Sequence, residues 1–276
     1  VLILAATPIG NLSDASPRLV EHLRESRFIA AEDTRSLLKL ANSLGIKLNA
    51  RLFSLHEHNE GDRIESILEI AAEESVLVVS DAGMPTVSDP GFLLVRAAVA
   101  AGIEVTVIPG PSAVLSALAV SGLPTDRFSF EGFLPRKSGD RRKTFASLAR
   151  ESRTMVFFES PHRILESLQD AAAELGVDRR ASVSRELTKK FEHTERGTLA
   201  ELATWASTEP RGEMVLVIAG AEVIEAKPDD LIQQVLALIE DGGRLKEAVA
   251  EIASAAGASK SELYQLVLEQ RQASKN

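Results

Sequence analysis

The chain has 276 residues, 45% of them hydrophobic and 26% charged, enough to build one large or two moderate globular cores. It contains no cysteine, which excludes disulfides, thiolate metal sites and cysteine nucleophiles and suits a reducing cytoplasm. A net charge of −9 argues against a surface coated for nonspecific nucleic-acid binding, and 4% aromatic residues argue against a base-stacking platform. No apolar run approaches the ~20 residues that a membrane helix needs.

Residues 1–6 (VLILAA) are an apolar run that leads into the turn TPIGN without a basic leader, so a first strand is expected rather than a signal peptide. Ser16-Pro17 opens a helix with Leu19, Val20 and Leu23 on one face. Residues 28–31 form a short strand that ends on Glu32-Asp33-Thr34-Arg35, and the helix after it stops at Gly45. A strand at 51–55 is closed by His56-Glu57-His58-Asn59, and a helix follows over 64–72. VLVV at 76–79 is β-branched and continuous, the pattern of a strand buried on both faces of a parallel sheet. It stops at Ser80-Asp81, and in the loop that follows Asp89-Pro90 is expected to cap the helix over 92–101. A strand at 103–108 and the turn PGPSA lead into another apolar helix. This alternation predicts a mostly parallel sheet with helices on both faces, ligands lying off the carboxyl ends of the strands.

Residues 122–143 lack periodicity and read as a linker with a mobile basic loop, RKSGDRRK. Beyond them come a helix from Asp140, strands at 154–158, 181–184 and 214–219, and helices at 164–175 and 199–205, with some antiparallel pairing expected. After Pro228, residues 231–239, 245–255 and 261–270 read as three short amphipathic helices, separated by Gly242-Gly243 and Gly257-Ala258-Ser259. The division expected is 1–121, 122–226 and 227–276.

The loop after VLVV carries two acids, Asp81 and Asp89, and no Lys or Arg, which disfavours a phosphate cradle and suits a ligand with amino, hydroxyl or cationic groups. Polar clusters also end four other strands: 32–35, 56–59, 159–163 and 185–190. Each has a structural alternative; acids and Thr in EDTR, for instance, suit a helix start. His56 and His58 lack a third ligand nearby, and no metal is expected. The basic loop concentrates positive charge in an acidic chain; a solvated loop is the default for such a run, and its position beside the linker favours phosphate contact with a large anionic substrate. No Walker loop, GxSxG, HExxH or GxGxxG is present.

Taken in order, ATPIGNLSD (6–14), AAEDTR (30–35), HEHNE (56–60), SDAGMPTVSDPG (80–91), PGPSA (109–113), EGFLPRK (131–137), ESPHR (159–163), RELTK (185–189) and GEMVLVI (212–218) closely resemble one set. It is that of the bacterial small-subunit rRNA ribose methyltransferase I family, the RNA-modifying branch of the tetrapyrrole-methylase fold. The likeness spans nearly the whole chain, including the C-terminal helices; Met84 stands where that family often has Thr.

The resemblance implies two α/β domains with a cofactor cleft between them, a small C-terminal helical domain, and a homodimer without membrane attachment. It implies S-adenosylmethionine as methyl donor and the 2′-hydroxyl of a cytidine near the decoding site of 16S rRNA, free or in the 30S subunit, as acceptor. Donor contacts would fall on Pro8, Ile9, Asp81, Ala82, Gly83, Met84, Pro85, Val87, Ser112, Ala113, Phe158 and Val215. Acid–base candidates are Glu32, Asp33, Glu159, His162, Glu186 and Lys189, with Glu32 and Asp33 favoured and Arg35 orienting them. Arg136, Lys137, Arg141, Arg142, Arg163 and Arg185 are candidates for the RNA backbone. A tetrapyrrole-precursor methylase and a noncatalytic, cofactor-sensing ribosome-assembly factor are the rival readings.

Overall fold

The structure is a computed structural model that describes residues 1–56, 59–222, 228–256 and 258–273. Five strands, β1 (Leu2–Ala5), β2 (Phe28–Ala31), β3 (Arg51–Ser54), β4 (Val76–Val79) and β5 (Val105–Ile108), form a sheet of order β3-β2-β4-β1-β5. Every pairing in it is parallel. Alternate residues of each strand therefore point to opposite faces, and both faces are covered. Ile3, Ala5, Ile29, Ala31, Leu77 and Val79 pack on α1 (Pro17–Glu25) and α2 (Thr34–Ser43). Leu2, Ala30, Val76 and Val78 pack on α3 (Glu60–Glu73) and α4 (Phe92–Ala100). The all-buried β4 is the expected strand, flanked by β2 and β1 at the centre of the sheet.

The start of α4 differs from expectation. The helix begins at Phe92 after a left-handed Gly91, and Asp89 does not cap it. Its cap comes from α3: the Glu60 carboxylate, 6% exposed, accepts the N–H groups of Gly91 at 3.1 Å and Leu94 at 3.0 Å. A negative charge at a helix N-terminus also complements the helix dipole.

A second sheet contains β6 (Phe128–Phe133), β7 (Thr154–Glu159), β8 (Arg180–Arg185), β9 (His193–Thr198) and β10 (Met214–Ile218), in the order β6-β7-β10-β8-β9. Only β6–β7 is parallel; the other three pairings are antiparallel. Its one face carries α6 (Ser138–Ser147), α7 (Ile164–Leu175) and α8 (Leu199–Ala206) around Phe145, Phe157, Leu168 and Leu202. The other face packs on α5 (Ala113–Ser121), whose Val114, Ala117 and Leu118 meet Val156, Val215 and Val217. Helix α5, the last of the first α/β half in sequence, is thus buried against the second sheet, and residues Val1–Ala221 form one compact unit.

Two further expectations fail here. The stretch read as a linker with a mobile loop contains β6, which is bulged between Phe130 and Gly132, and a helix that starts already at Ser138. Within it Arg141 is fully buried. Its guanidinium pairs with Asp170 of α7 at 2.7 Å and reaches the carbonyls of Pro135 and Arg136 at 3.4 Å. Arg141 therefore pins the basic segment to α7 and does not belong to an RNA-facing surface.

The second compact unit, Glu222–Asn276, holds α9 (Pro228–Glu240), α10 (Leu245–Ala256) and α11 (Lys260–Ala273) around Leu231, Val235, Val249, Leu263 and Val267. Gly257 of its second turn lies outside the described residues. Among the described residues no helix is long and apolar enough to cross a membrane.

Candidate active site

Three loops leave the carboxyl ends of β1, β4 and β5 and are tied to one another. Thr7, fully buried, exchanges backbone hydrogen bonds with Gly83 (2.9 and 3.1 Å), and its hydroxyl donates to the Ser80 carbonyl at 3.3 Å. Gly83 sits at φ +81°, where a side chain would strain the turn. In PGPSA, a Cβ on Gly110 would lie 2.9 Å from the Ala6 Cβ, so only glycine lets this turn close on β1. Ser112 then caps α5 by accepting the N–H of Leu115.

The loops form one wall of a cavity of about 470 Å³, and the edge of the second sheet forms the other. That volume lies in the range of sites for small organic ligands. The first wall supplies Ile9, Glu32, Asp81, Ala82, Gly83, Met84, Val87, Asp89, Ser112 and Ala113. The second supplies Phe133, Phe158, Glu159, Leu187, Met214 and Val215. Every residue expected to touch the methyl donor lines this space except Pro8 and Pro85. Phe158 is steadied edge-on by Phe130 and Phe133, with ring centroids 4.9 and 5.3 Å away.

The charge in the cavity is one-sided. No Lys or Arg is among its described lining residues, but five carboxylates are. Two are neutralised locally. Glu159, 3% exposed, pairs with Arg163 at 2.6 Å and accepts from the Ser167 hydroxyl at 2.6 Å, and Glu213 pairs with Lys189 at 2.9 Å. Lys189 also holds Glu186, at 3.0 Å, so these candidate acids and the candidate base are fixed in ion pairs. Among the described residues Glu32, Asp81 and Asp89 form no ion pair. Burial, then the charges of Asp81 and Asp33, push the Glu32 carboxyl up, although the Asp81 N–H donates to it at 3.1 Å. Burial, with the nearby charge of Glu32, raises Asp89 to about 6.

The favoured trio Glu32, Asp33 and Arg35 is therefore split. Asp33 caps α2 and pairs with Arg35 at 2.7 Å, which lowers its carboxyl to about 2, and neither residue lines the cavity. Together with Ser36 they steady Asp81, whose carboxylate accepts the Asp33 N–H and the Ser36 hydroxyl at 3.2 Å each. Asp89, one of the two acids of the ligand loop but not among the donor or acid–base candidates, lines the cavity; in sequence, Asp-Pro before an apolar run is indistinguishable from a helix cap.

Of the basic candidates, Arg136 and Lys137 are exposed, and Arg142 is 53% exposed but paired with Glu174 at 2.7 Å. Arg163 is committed to Glu159, and Arg185, at the end of β8, lines a separate depression described below. No group of three potential metal ligands occurs among the described residues; His58 of the HEHNE segment lies outside them.

A family described as Tetrapyrrole (Corrin/Porphyrin) Methylases matches residues 1–203, and one described as RsmI C-terminal HTH domain matches residues 225–271. The Ribosomal RNA small subunit methyltransferase I of Mycobacterium tuberculosis is 48% identical over 98% of this chain and 95% of its own length. The protein of that name from Escherichia coli O157:H7 is 44% identical over the same shares. Among solved structures, the methyltransferase CobJ aligns with TM-score 0.59 at 22% identity, covering 80% of this chain and 94% of its own. Uroporphyrin-III C-methyltransferase from Thermus thermophilus, solved with S-adenosyl homocysteine, aligns with TM-score 0.52 at 19% identity, covering 79% and 96%. At such identities these two support the fold alone. The chain belongs to the tetrapyrrole methylase family, in its ribosomal RNA small subunit methyltransferase I branch.

Proposed function

We propose that this methyltransferase of small-subunit rRNA transfers the methyl group of S-adenosylmethionine to the ribose 2′-hydroxyl of a cytidine in the decoding region of 16S rRNA. The observation that carries the reading is the cavity between the two sheets, rich in carboxylates and without a lining cation, in a chain whose relatives align over nearly their full length. The residues fit the donor. A sulfonium is cationic, and Glu32, Asp81 and Asp89 attract it where a Lys or Arg would repel it. Ile9, the loop at 81–84, Val87, Ser112, Ala113, Phe158 and Val215 would hold it.

When bound, the donor supplies an electrophilic methyl group whose bond to sulfur breaks as the bond to ribose oxygen forms, its electron pair staying on sulfur. A 2′-hydroxyl attacks well only as its proton leaves. Asp89, near 6, is ionised at neutral pH yet basic enough to take that proton, with Glu32 beside it as the second acceptor. Asp33 and Arg35 position Asp81 and do not exchange protons. The apolar second wall, led by Phe158 and Leu187, would limit water at the reacting atoms and restrict the acceptor's orientation. Arg136, Lys137 and Arg142 serve the RNA backbone.

The protein acts as a homodimer in this reading. Support comes from Phe92 and Val99, two turns apart on α4 and 59% and 64% exposed, and from Val107, 43% exposed on the edge strand β5. Light scattering that returns a monomer at working concentration removes this part. For the activity, labelled S-adenosylmethionine is incubated with 30S particles, free 16S rRNA and uroporphyrinogen, and the modified nucleoside is identified. The expected product is 2′-O-methylcytidine in rRNA. Label in the porphyrinogen alone would establish the tetrapyrrole reading, and donor binding without any transfer would establish the assembly factor.

A further inference from the structure

The antiparallel half of the second sheet sets one row of residues in register across four strands. Glu159 of β7 pairs with Met214 of β10, Met214 with Arg185 of β8, and Arg185 with His193 of β9. The first two line the cavity already described. The last two line a second depression of about 350 Å³, completed by Trp205 of α8 and by Thr208, Glu209, Pro210 and Arg211 after it. At about 4.8 Å per strand, His193 stands about 10 Å along the same sheet edge from Met214. A stacked strand advances about 3.4 Å per nucleotide, so the two depressions are about three nucleotides apart.

Their chemistry is opposite. Where the first is acidic and free of cations, the second presents two guanidiniums, and neither Arg185 nor Arg211 has an ion-pair partner among the described residues. Beside them is Trp205, the only tryptophan in the chain, its ring 6.4 Å from that of His193 and tilted by 31°. Aromatic surface next to arginine takes a base on its face and a phosphate at its edge. The Glu209 carboxylate on the same rim can accept from an exocyclic amino group, which selects cytosine or adenine over uracil.

We propose that this depression binds a nucleotide of the substrate RNA about three positions from the methylated one, its base against Trp205 and His193 and its phosphate on Arg185 and Arg211. The proposal rests on the rRNA reading given above. It turns the scarcity of aromatic residues into a single localised stacking position rather than a platform.

Arg211 is exposed and outside the donor cavity, so Arg211→Ala should leave the fold and donor affinity intact. With 30S particles as acceptor, its KM should rise severalfold at unchanged kcat. Because Trp205 also packs on the core, Trp205→Phe accompanies Trp205→Ala. The first should retain most of the acceptor affinity and the second should lose about 5- to 100-fold. In the parent, a short single-stranded fragment spanning the target should quench the fluorescence of Trp205 saturably. Unchanged KM for 30S in Arg211→Ala, together with unquenched Trp205 when anisotropy shows the fragment bound, overturns the proposal and leaves the rRNA reading intact. Absence of any transfer to rRNA or 30S particles by the parent overturns both.

Discussion

Glu60→Ala removes the carboxylate that caps α4 from a neighbouring helix. Two buried N–H groups, of Gly91 and Leu94, lose their acceptor. Each buried donor left unpaired costs about 1–3 kcal/mol, and Leu94 lies in the core with no exposure, so water cannot readily replace the carboxylate there. The expected loss is about 2–5 kcal/mol, partly relieved if a water enters the space of the deleted side chain. Glu60→Gln keeps an acceptor oxygen in place and should cost about 1 kcal/mol, the difference between a charge-assisted and a neutral hydrogen bond. Glu69→Ala, on the exposed face of the same helix, is the control and should fall within about 0.5 kcal/mol of the parent. Urea unfolding followed by circular dichroism measures the order, and calorimetry measures donor affinity in parallel. Gly91 ends the loop that carries Val87 and Asp89 into the cavity, so affinity should fall with stability in Glu60→Ala and not in the control. Glu60→Ala as stable as Glu69→Ala would refute the role given to this carboxylate.

Asp89 makes a pH prediction. Its folded carboxyl is raised from 3.8 to about 6, so the folded state holds a proton that the unfolded chain has released between those values. Its contribution to stability is therefore full below pH 3.8, is lost as pH rises through about 6, and changes little beyond that. Asp89→Asn should stabilise the protein by about 1 kcal/mol at pH 7, after allowance for solvent screening of a half-buried group. It should at the same time weaken binding of the cationic donor and remove the rise in parent affinity between pH 5 and 7. Pale dependence on pH in the parent, by calorimetry across that range, would separate Asp89 from the site. Arg141 and the exposed pair Arg136 and Lys137 should behave in opposite ways. Arg141→Ala strands Asp170 and should destabilise by about 3–5 kcal/mol. Arg136→Ala with Lys137→Ala should leave the melting temperature unchanged while flattening the salt dependence of RNA affinity by about 1.4 in logarithmic slope. The reverse pattern would return Arg141 to the RNA surface.

The first sheet was the more legible half. Its central strands β1, β2 and β4 are uninterrupted apolar runs, almost wholly buried, and α1 and α5 start on Ser16-Pro17 and Ser112 with caps that are local in sequence. The second sheet hides its strands. HTERGT, which becomes β9, has no apolar residue, because an edge strand whose face is half solvated has no need of one. The bulge at Gly132 breaks the alternation that would have marked β6. In the site, the donor loop was readable because it is one contiguous segment. Glu60 caps α4 where Asp89 was expected to, because capping from another helix leaves no trace in local spacing. Arg141 resembled its exposed neighbours, since only the position of Asp170 on α7, 29 residues away, distinguishes it.

The placement of β1 bears on how the chain is made. This first strand is flanked by β4 and β5, so Leu2 waits for Val76 on one side and Val105 on the other. As synthesis proceeds, β2 and β3 can pair as soon as both emerge, while VLILAA remains an unpaired apolar segment for roughly a hundred residues of elongation. Parallel pairing over such separations is slow, and the earliest strand of this sheet to be made is among the last to be secured. The three C-terminal helices, which pack on one another within about fifty residues, form a unit of low contact order. In this sheet the order of synthesis and the order of consolidation therefore run apart, and the waiting strand β1 is where a slow elongation or a chaperone would have its largest effect on yield.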